Sequence, residues 1–187
     1  MLSISEIFAA HLSAITALRE QKDIIQQLGD KLIDCLRQGH RIFLCGNGGS
    51  AADAQHIAAE MVCRFETQRR ALPAIALTTD TSALTAIGND FGYEQVFARQ
   101  VEALARPGDV LIGISTSGNS ENVIAAVKQA NAMGVTTLGL LGGSGGKLGE
   151  LARHAFVVPG DATARVQECH ILIGHIWCAM IDAEFSA

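Results

Sequence analysis

The residues best able to do chemistry fall in a few short stretches. Ser115-Thr116-Ser117-Gly118-Asn119-Ser120 follows the apolar run 109–114 and leads into a helical pattern from Ser120 to Met133. A strand that empties into a hydroxyl-rich turn at a helix start is suited to anions. The first helical N–H groups lack partners, the helix dipole is positive there, and the hydroxyls can donate as well. With no lysine in the loop and no Walker-type pattern, a monophosphate held by neutral donors fits better than a nucleotide. The plain alternative is that the hydroxyls only cap the helix. Upstream, Gly46-Asn47-Gly48-Gly49-Ser50-Ala51 also follows a strand-like run and opens a helix. It satisfies the G-x-G-x-x-A dinucleotide fingerprint. Yet Asp80, the first acid at the end of the second strand, lies 29 residues beyond Ala51, farther than the ribose-binding spacing of about 20. Two such loops suit a sugar phosphate, one for its phosphate and the other for its hydroxyls.

His56-x-x-x-Glu60 places an imidazole and a carboxylate about one turn apart on one helix face. Gln167 and His175, eight residues apart, are separated by about 80° around a helix axis and can share a face as well. Two histidines and a glutamate are ordinary zinc ligands, whereas glutamine is a poor one. His11, His40, His154 and His170 read as hydrogen-bonded residues at polar–apolar boundaries. On spacing alone the same plain reading stays open for His56, and a solvated one for Glu60.

The elements that must position these groups follow from periodicity. Ser3-x-x-Glu6 is a capping box, and Ile4, Ile7, Phe8, Leu12, Ile15 and Leu18 recur at helical spacing. A second helical pattern, Ile24 to Leu36, stops at Gly39. Two long amphipathic helices exceed what one small sheet edge can cover, so a partner subunit is the expected destination for part of that surface. From Arg41 onward, strand-like runs 41–45, 74–78, 109–114, 135–141 and 155–158 alternate with helical segments near 50–64, 81–105, 119–133 and 146–153. A final helix spans about 163–185. Near-continuous apolar strands separated by helices predict an α/β, doubly wound, five-stranded parallel sheet with ligands outside the carboxyl ends of its strands. The expected organisation is one domain over 1–187, with 1–38 an N-terminal helical extension used in oligomerisation.

Composition narrows the function. Hydrophobic residues make up 49% and charged residues 18%, which excludes a disordered chain. A net charge of −5 argues against a nucleic-acid surface, and the one compact basic cluster, Arg64, Arg69 and Arg70, reads as a solvated rim. Cys35, Cys45, Cys63, Cys169 and Cys178 show no CxxC spacing and read as reduced, buried and inert, which predicts a cytoplasmic location. The sequence shows neither a signal-peptide layout nor a membrane-spanning run.

Taken together, Cys45-Gly-Asn-Gly-Gly-Ser-Ala-Ala-Asp-Ala-Gln-His56, Gly88-Asn89-Asp90-Phe91-Gly92, Gly113-Ile-Ser-Thr-Ser-Gly-Asn-Ser120 and Arg165-Val-Gln-Glu-Cys-His-Ile-Leu-Ile-Gly-His175 resemble the phosphoheptose isomerases of the sugar isomerase (SIS) domain superfamily. The resemblance runs over essentially the whole chain. It implies a flavodoxin-like SIS fold and a homotetramer with active sites between subunits. It further implies one Zn2+ per subunit and conversion of sedoheptulose 7-phosphate to D-glycero-D-manno-heptose 7-phosphate. That reaction is the first step toward activated heptoses for bacterial surface polysaccharide, including lipopolysaccharide.

Carried over by position, Asn47, Gly48, Gly49, Asn89, Asp90, Ser115, Thr116, Ser117, Ser120 and Gln167 contact substrate. His56, Glu60, Gln167 and His175 are the metal positions, and Arg64 matches a basic family position near the phosphate. For the catalytic pair, Glu60 is expected to take the C1 proton while His175 moves protons among the oxygens. Zinc would polarise the carbonyl. The rival reading is a non-catalytic SIS module of the replication-initiator-associated type, which lacks the full acid–base set. Glu60, His175 and His56 together weigh against it.

Overall fold

The computed structural model describes residues 3–160 and 162–186. The extension expected over 1–38 is therefore described from Ser3, and residues 1, 2, 161 and 187 of the expected 1–187 unit lie outside the described residues. Five strands, β1 (Ile42–Gly46), β2 (Ala74–Ala76), β3 (Val110–Ser115), β4 (Thr136–Gly142) and β5 (His154–Val158), form one all-parallel sheet in the order β2-β1-β3-β4-β5. Every residue of β1 and β3 is buried, because helices cover both faces of the sheet and leave no polar side to alternate with. On one face α2 (Lys22–Arg37), α3 (Gly49–Val62) and α8 (Thr163–Phe185) bury Leu32, Ile57 and Trp177 against Leu44 and Ile112. On the other, α5 (Ala98–Leu104), α6 (Glu121–Ala132) and α7 (Gly146–Leu151) enclose Phe97, Val127 and Leu148 with Phe43 and Leu111.

This topology sets the site. Gly46 and Ile114 are register partners, so the loops that leave β1 and β3 emerge side by side. The helix after β1 packs on one face and the helix after β3 on the other. The two loops thus diverge at a topological switch point, where open α/β sheets hold ligands.

The N-terminal helix α1 (Ile4–Arg19) carries the expected capping box, with Ser3 Oγ accepting from Glu6 N–H and Glu6 Oε2 accepting from Ser3 N–H. Its apolar residues are poorly covered: Leu18 alone is fully buried, whereas Ile4 is 75%, Phe8 64% and Leu12 64% exposed. By contrast, α2 is integral to the core, burying Ile25, Leu28, Leu32, Ile33 and Leu36, and its Ile25 carbonyl accepts from Trp177 Nε1–H at 3.0 Å.

Three expectations need correction. The helix expected over 81–105 is interrupted: α4 (Thr81–Phe91) stops at Gly92, whose φ of +89° cannot continue a helix, and a 3-10 turn (Tyr93–Gln95) precedes α5. Cys63 is exposed just past the end of α3, while the other four thiols are buried. Arg69 is no rim residue, because its side chain is fully buried against Asp182.

Candidate active site

The loop after β3 does not spend its hydroxyls on the helix. Ser120 is the N-cap of α6 yet makes no side-chain capping bond, and its Oγ lies 2.9 Å from Ser115 Oγ instead. The backbone between them is pinned from outside. Asn119 Oδ1 accepts from Lys147 N–H (3.1 Å), and the Gly118 carbonyl accepts from Leu148 N–H (3.0 Å). Gly118 has a φ of +66°, and a Cβ there would run into the Gly145 carbonyl, so glycine is required. Ser117 Oγ accepts from Asn119 N–H at 3.2 Å and the Ser117 side chain stays exposed. Thr116 faces a cavity of about 360 Å³ together with Asn47, Gly49, Ser50, Thr163 and Gln167.

The loop after β1 is tied to its neighbour by a reciprocal amide pair. Asn47 Nδ2 donates to Asn122 Oδ1 and Asn122 Nδ2 donates to Asn47 Oδ1, both at 2.8 Å, while Tyr93 OH donates to Asn47 Oδ1 at 3.3 Å. Asn122 is buried in the first turn of α6, so a side chain of one loop's helix orients the other loop. The acid that a dinucleotide reading needs is occupied elsewhere: Asp80 caps α4, accepting from Ala83 N–H at 2.9 Å.

Helices α3 and α8 bring the acid–base groups together. Their close approach is set at Gly174, where a Cβ would meet Ile57 Cδ1 at 2.5 Å. Beside it, His175 Nε2 lies 2.9 Å from His56 Nε2, and His56 Nε2 lies 3.4 Å from Glu60 Oε1. Phe65 stacks on the His175 ring, with centroids 5.3 Å apart and planes 24° off parallel. Separations of this size are those of neighbouring ligands around one tetrahedral cation, about 3.3 Å for bonds near 2.0–2.1 Å, and N,N,O donors suit zinc. Among the described residues, however, no group of three or more His, Cys, Asp or Glu is arranged so that it could hold a metal ion as it stands. Gln167 donates from Nε2 to Asp53 Oδ1 at 2.8 Å.

Asp53 is a polar group that the sequence reading passed over. It precedes His56 by three residues and Glu60 by seven, a spacing that repeats on one helix face and could have exposed it. Its Oδ2 is buried without a partner, and burial pushes its carboxyl pKa up against the opposing hydrogen bond from Gln167. Asn122, Tyr93, Phe65 and Asp182 carry no such local signal, because their roles depend on partners distant in sequence.

Other positions stand apart. Asn89 and Asp90 lie at the exposed end of α4, bonded to each other (Asn89 Nδ2 to Asp90 Oδ1, 2.7 Å), and take no part in the cavity shared by Asn47, Thr116 and Gln167. Arg64 is exposed and donates to the Glu66 carbonyl at 3.3 Å. Of the histidines expected to be hydrogen-bonded at polar–apolar boundaries, His11 meets Glu168 as expected, His170 bonds the Leu141 carbonyl but is fully buried, and His40 stays 3.9 Å from Asp109.

A doubly wound sheet with paired hydroxyl and glycine loops at its switch point defines a sugar isomerase domain, and the SIS domain family model matches residues 8–142. Within that family the chain is 55% identical over 185 residues to a phosphoheptose isomerase of Aliarcobacter butzleri, covering 98% of both chains. It is 63% identical over 153 residues to one from Nitratiruptor, covering 82% of each. Among solved structures, the phosphoheptose isomerase of Neisseria gonorrhoeae superposes with a TM-score of 0.87 at 48% identity, over 97% of this chain and 100% of that one. The enzyme from Francisella tularensis gives 0.90 at 39%, over 98% and 100%. The chain belongs to the phosphoheptose isomerase family and is an isomerase.

Proposed function

We propose that this isomerase converts sedoheptulose 7-phosphate to D-glycero-D-manno-heptose 7-phosphate through an enediolate, with Glu60 and His175 as its acid–base pair. The observation that carries the proposal is the meeting of His56, Glu60 and His175 between α3 and α8, close to a loop whose Ser115 and Ser120 hydroxyls bond each other rather than the end of α6. The loop of Ser115, Thr116, Ser117 and Ser120 would hold the phosphate, aided by the start of α6. Asn47, Gly48 and Gly49 would take sugar hydroxyls, with Asn122 keeping the Asn47 amide in place. The Glu60 carboxylate removes a proton from C1 and returns it to C2, while His175 carries the hydroxyl proton of O1 to O2. The atoms balance, since a ketose becomes its isomeric aldose and no group leaves.

His56, Glu60 and His175 have the donor types and two of the separations that a divalent ion needs, and they would hold Zn2+, joined by Gln167 only if its amide leaves Asp53. Bound there, the metal supplies Lewis-acid stabilisation of the substrate oxygens. The assembly we infer is a homotetramer with active sites completed between subunits. The uncovered apolar residues of α1 support it, as does the position of Asn89 and Asp90 outside the cavity formed within one chain. Five free cysteines support a reducing, cytoplasmic setting, and among the described residues no helix is long and apolar enough to cross a membrane. The product would then feed activated-heptose synthesis for surface polysaccharide.

Turnover of sedoheptulose 7-phosphate, read by NMR with bound metal measured in parallel, tests the reading. Activity that falls as a chelator strips metal, and returns with zinc, supports reaction and metal together. Full activity in metal-free protein removes the metal from the scheme, and no turnover with any metal contradicts the proposed reaction.

A further inference from the structure

Glu60 and His175 sit on different helices, so their relation depends on how α3 is locked against α8. At the far end of that seam lies a buried ion pair outside the set of residues carried over from the family. Arg69 Nε donates to Asp182 Oδ1 at 2.6 Å, with both side chains essentially inaccessible to water. The other arms of the guanidinium reach the last turn of α3. Nη2 donates to the carbonyl of Glu60 itself (2.7 Å), and Nη1 donates to those of Met61 (2.9 Å) and Arg70 (3.0 Å). The Glu60 and Met61 carbonyls are among those that the end of α3 leaves without an internal partner, and Arg70 lies in the segment beyond it. Asp182 Oδ2 in turn accepts from Glu66 N–H (2.8 Å) and Thr67 N–H (2.7 Å), which anchors the segment carrying Phe65. Phe65 is the residue that stacks on His175. Asp182 follows His175 by seven residues, nearly two full turns, and so lies on the same face of α8.

Resting on the Glu60 and His175 roles given above, we infer that Arg69 and Asp182 are positioning residues for the isomerisation. The clamp holds the backbone of Glu60 to α8 and keeps Phe65 on the His175 ring, so carboxylate and imidazole are presented to the substrate at one fixed separation. A purely stabilising purpose explains the pair poorly, because a buried ion pair is often no better for stability than well-packed apolar residues of similar volume. Its directional bonds to five backbone groups around the site supply what apolar packing cannot, a defined register. Acid–base transfer is sensitive to that register: a displacement near 1 Å can cost on the order of 10²-fold in rate.

The test compares Arg69→Lys, the double variant Arg69→Met with Asp182→Leu, and Phe65→Leu. Lysine keeps the charge but lacks the planar fork that reaches Asp182 and two helix carbonyls at once. In variants shown to be folded by circular dichroism, kcat should fall at least ~10-fold while KM stays within about twofold. In protein labelled at its histidine rings, the His175 signal, assigned by its loss in His175→Gln, should lose the ring-current shift imposed by Phe65. Phe65→Leu leaves the buried charges alone. It should show the same spectral change with a smaller fall in kcat, and it keeps the test open should the clamp variants fail to fold. A folded clamp variant with kcat within twofold of wild type, or a loss confined to KM, overturns the inference; so does Phe65→Leu with kcat and spectrum unchanged. Glu60→Gln, assayed alongside, separates the layers. If it is inactive while folded Arg69→Lys is fully active, the clamp alone is wrong. If it keeps more than half the wild-type rate, the base assignment fails and the clamp falls with it.

Discussion

Replacing His170 with glutamine isolates a pH-dependent contribution to stability whose size follows from the structure. His170 is fully buried on α8; its Nε2–H donates to the Leu141 carbonyl at 3.0 Å, and its Nδ1 has no partner. Burial lowers its pKa to about 4, only partly opposed by the bond to Leu141, because a charged ring would lose its water without gaining an acceptor. In the unfolded chain the value returns to about 6.5. The folded value is therefore depressed, and the unfolded state binds the proton first as pH falls. Stability is whole above about pH 6.5 and is lost progressively down to about pH 4, at ~1.4 kcal/mol per pH unit within the window. At pH 5 the loss amounts to about 2 kcal/mol, or roughly 4–8 °C in Tm for a chain of this length.

Glutamine can keep a hydrogen bond to Leu141 but cannot titrate. Thermal unfolding of both proteins at pH 7.5 and pH 5.0, at one protein concentration, should show wild type losing that much more Tm than His170→Gln. Parallel loss of Tm between the two pH values would refute the argument.

The anion loop yields two more expectations. Ser120→Ala removes a hydroxyl that makes no capping bond and can exchange its Ser115 partner for a phosphate oxygen, so it should raise KM by about tenfold with kcat little changed, the scale of one charge-assisted hydrogen bond. Steady-state kinetics check it, and an unchanged KM would count against the loop as the phosphate site. Gly118→Ala places a methyl against the Gly145 carbonyl on backbone that favours glycine, so it should lower Tm by several degrees and raise KM more than Ser120→Ala does. A variant matching wild type in both would show that the loop is not held as described.

Much of the fold was legible because parallel strands buried on both faces must be apolar runs, and β1, β3 and β4 are such runs. The break at Gly92 was harder to read, since an apolar pattern continues across it and a single glycine within a helical pattern is often tolerated. The loops and the His56–Glu60 pair were visible because their spacing is local. Arg69 was misread for the opposite reason. It stands among Arg64 and Arg70, which look like a rim, and its partner Asp182 lies 113 residues away. The Asn47–Asn122 pair and the Gln167–Asp53 bond escaped notice in the same way, each spanning more than 70 residues. Spacing shows which groups share a helix face, but the sheet order decides which faces meet.

The most direct test of the account is Glu60→Gln turning over sedoheptulose 7-phosphate. The substitution keeps the size of the side chain and removes the base that the scheme requires. Substrate binding should stay nearly intact while kcat falls by at least ~10²-fold. A folded Glu60→Gln enzyme that keeps more than half the wild-type rate would contradict the assignment of the proton transfer to this carboxylate.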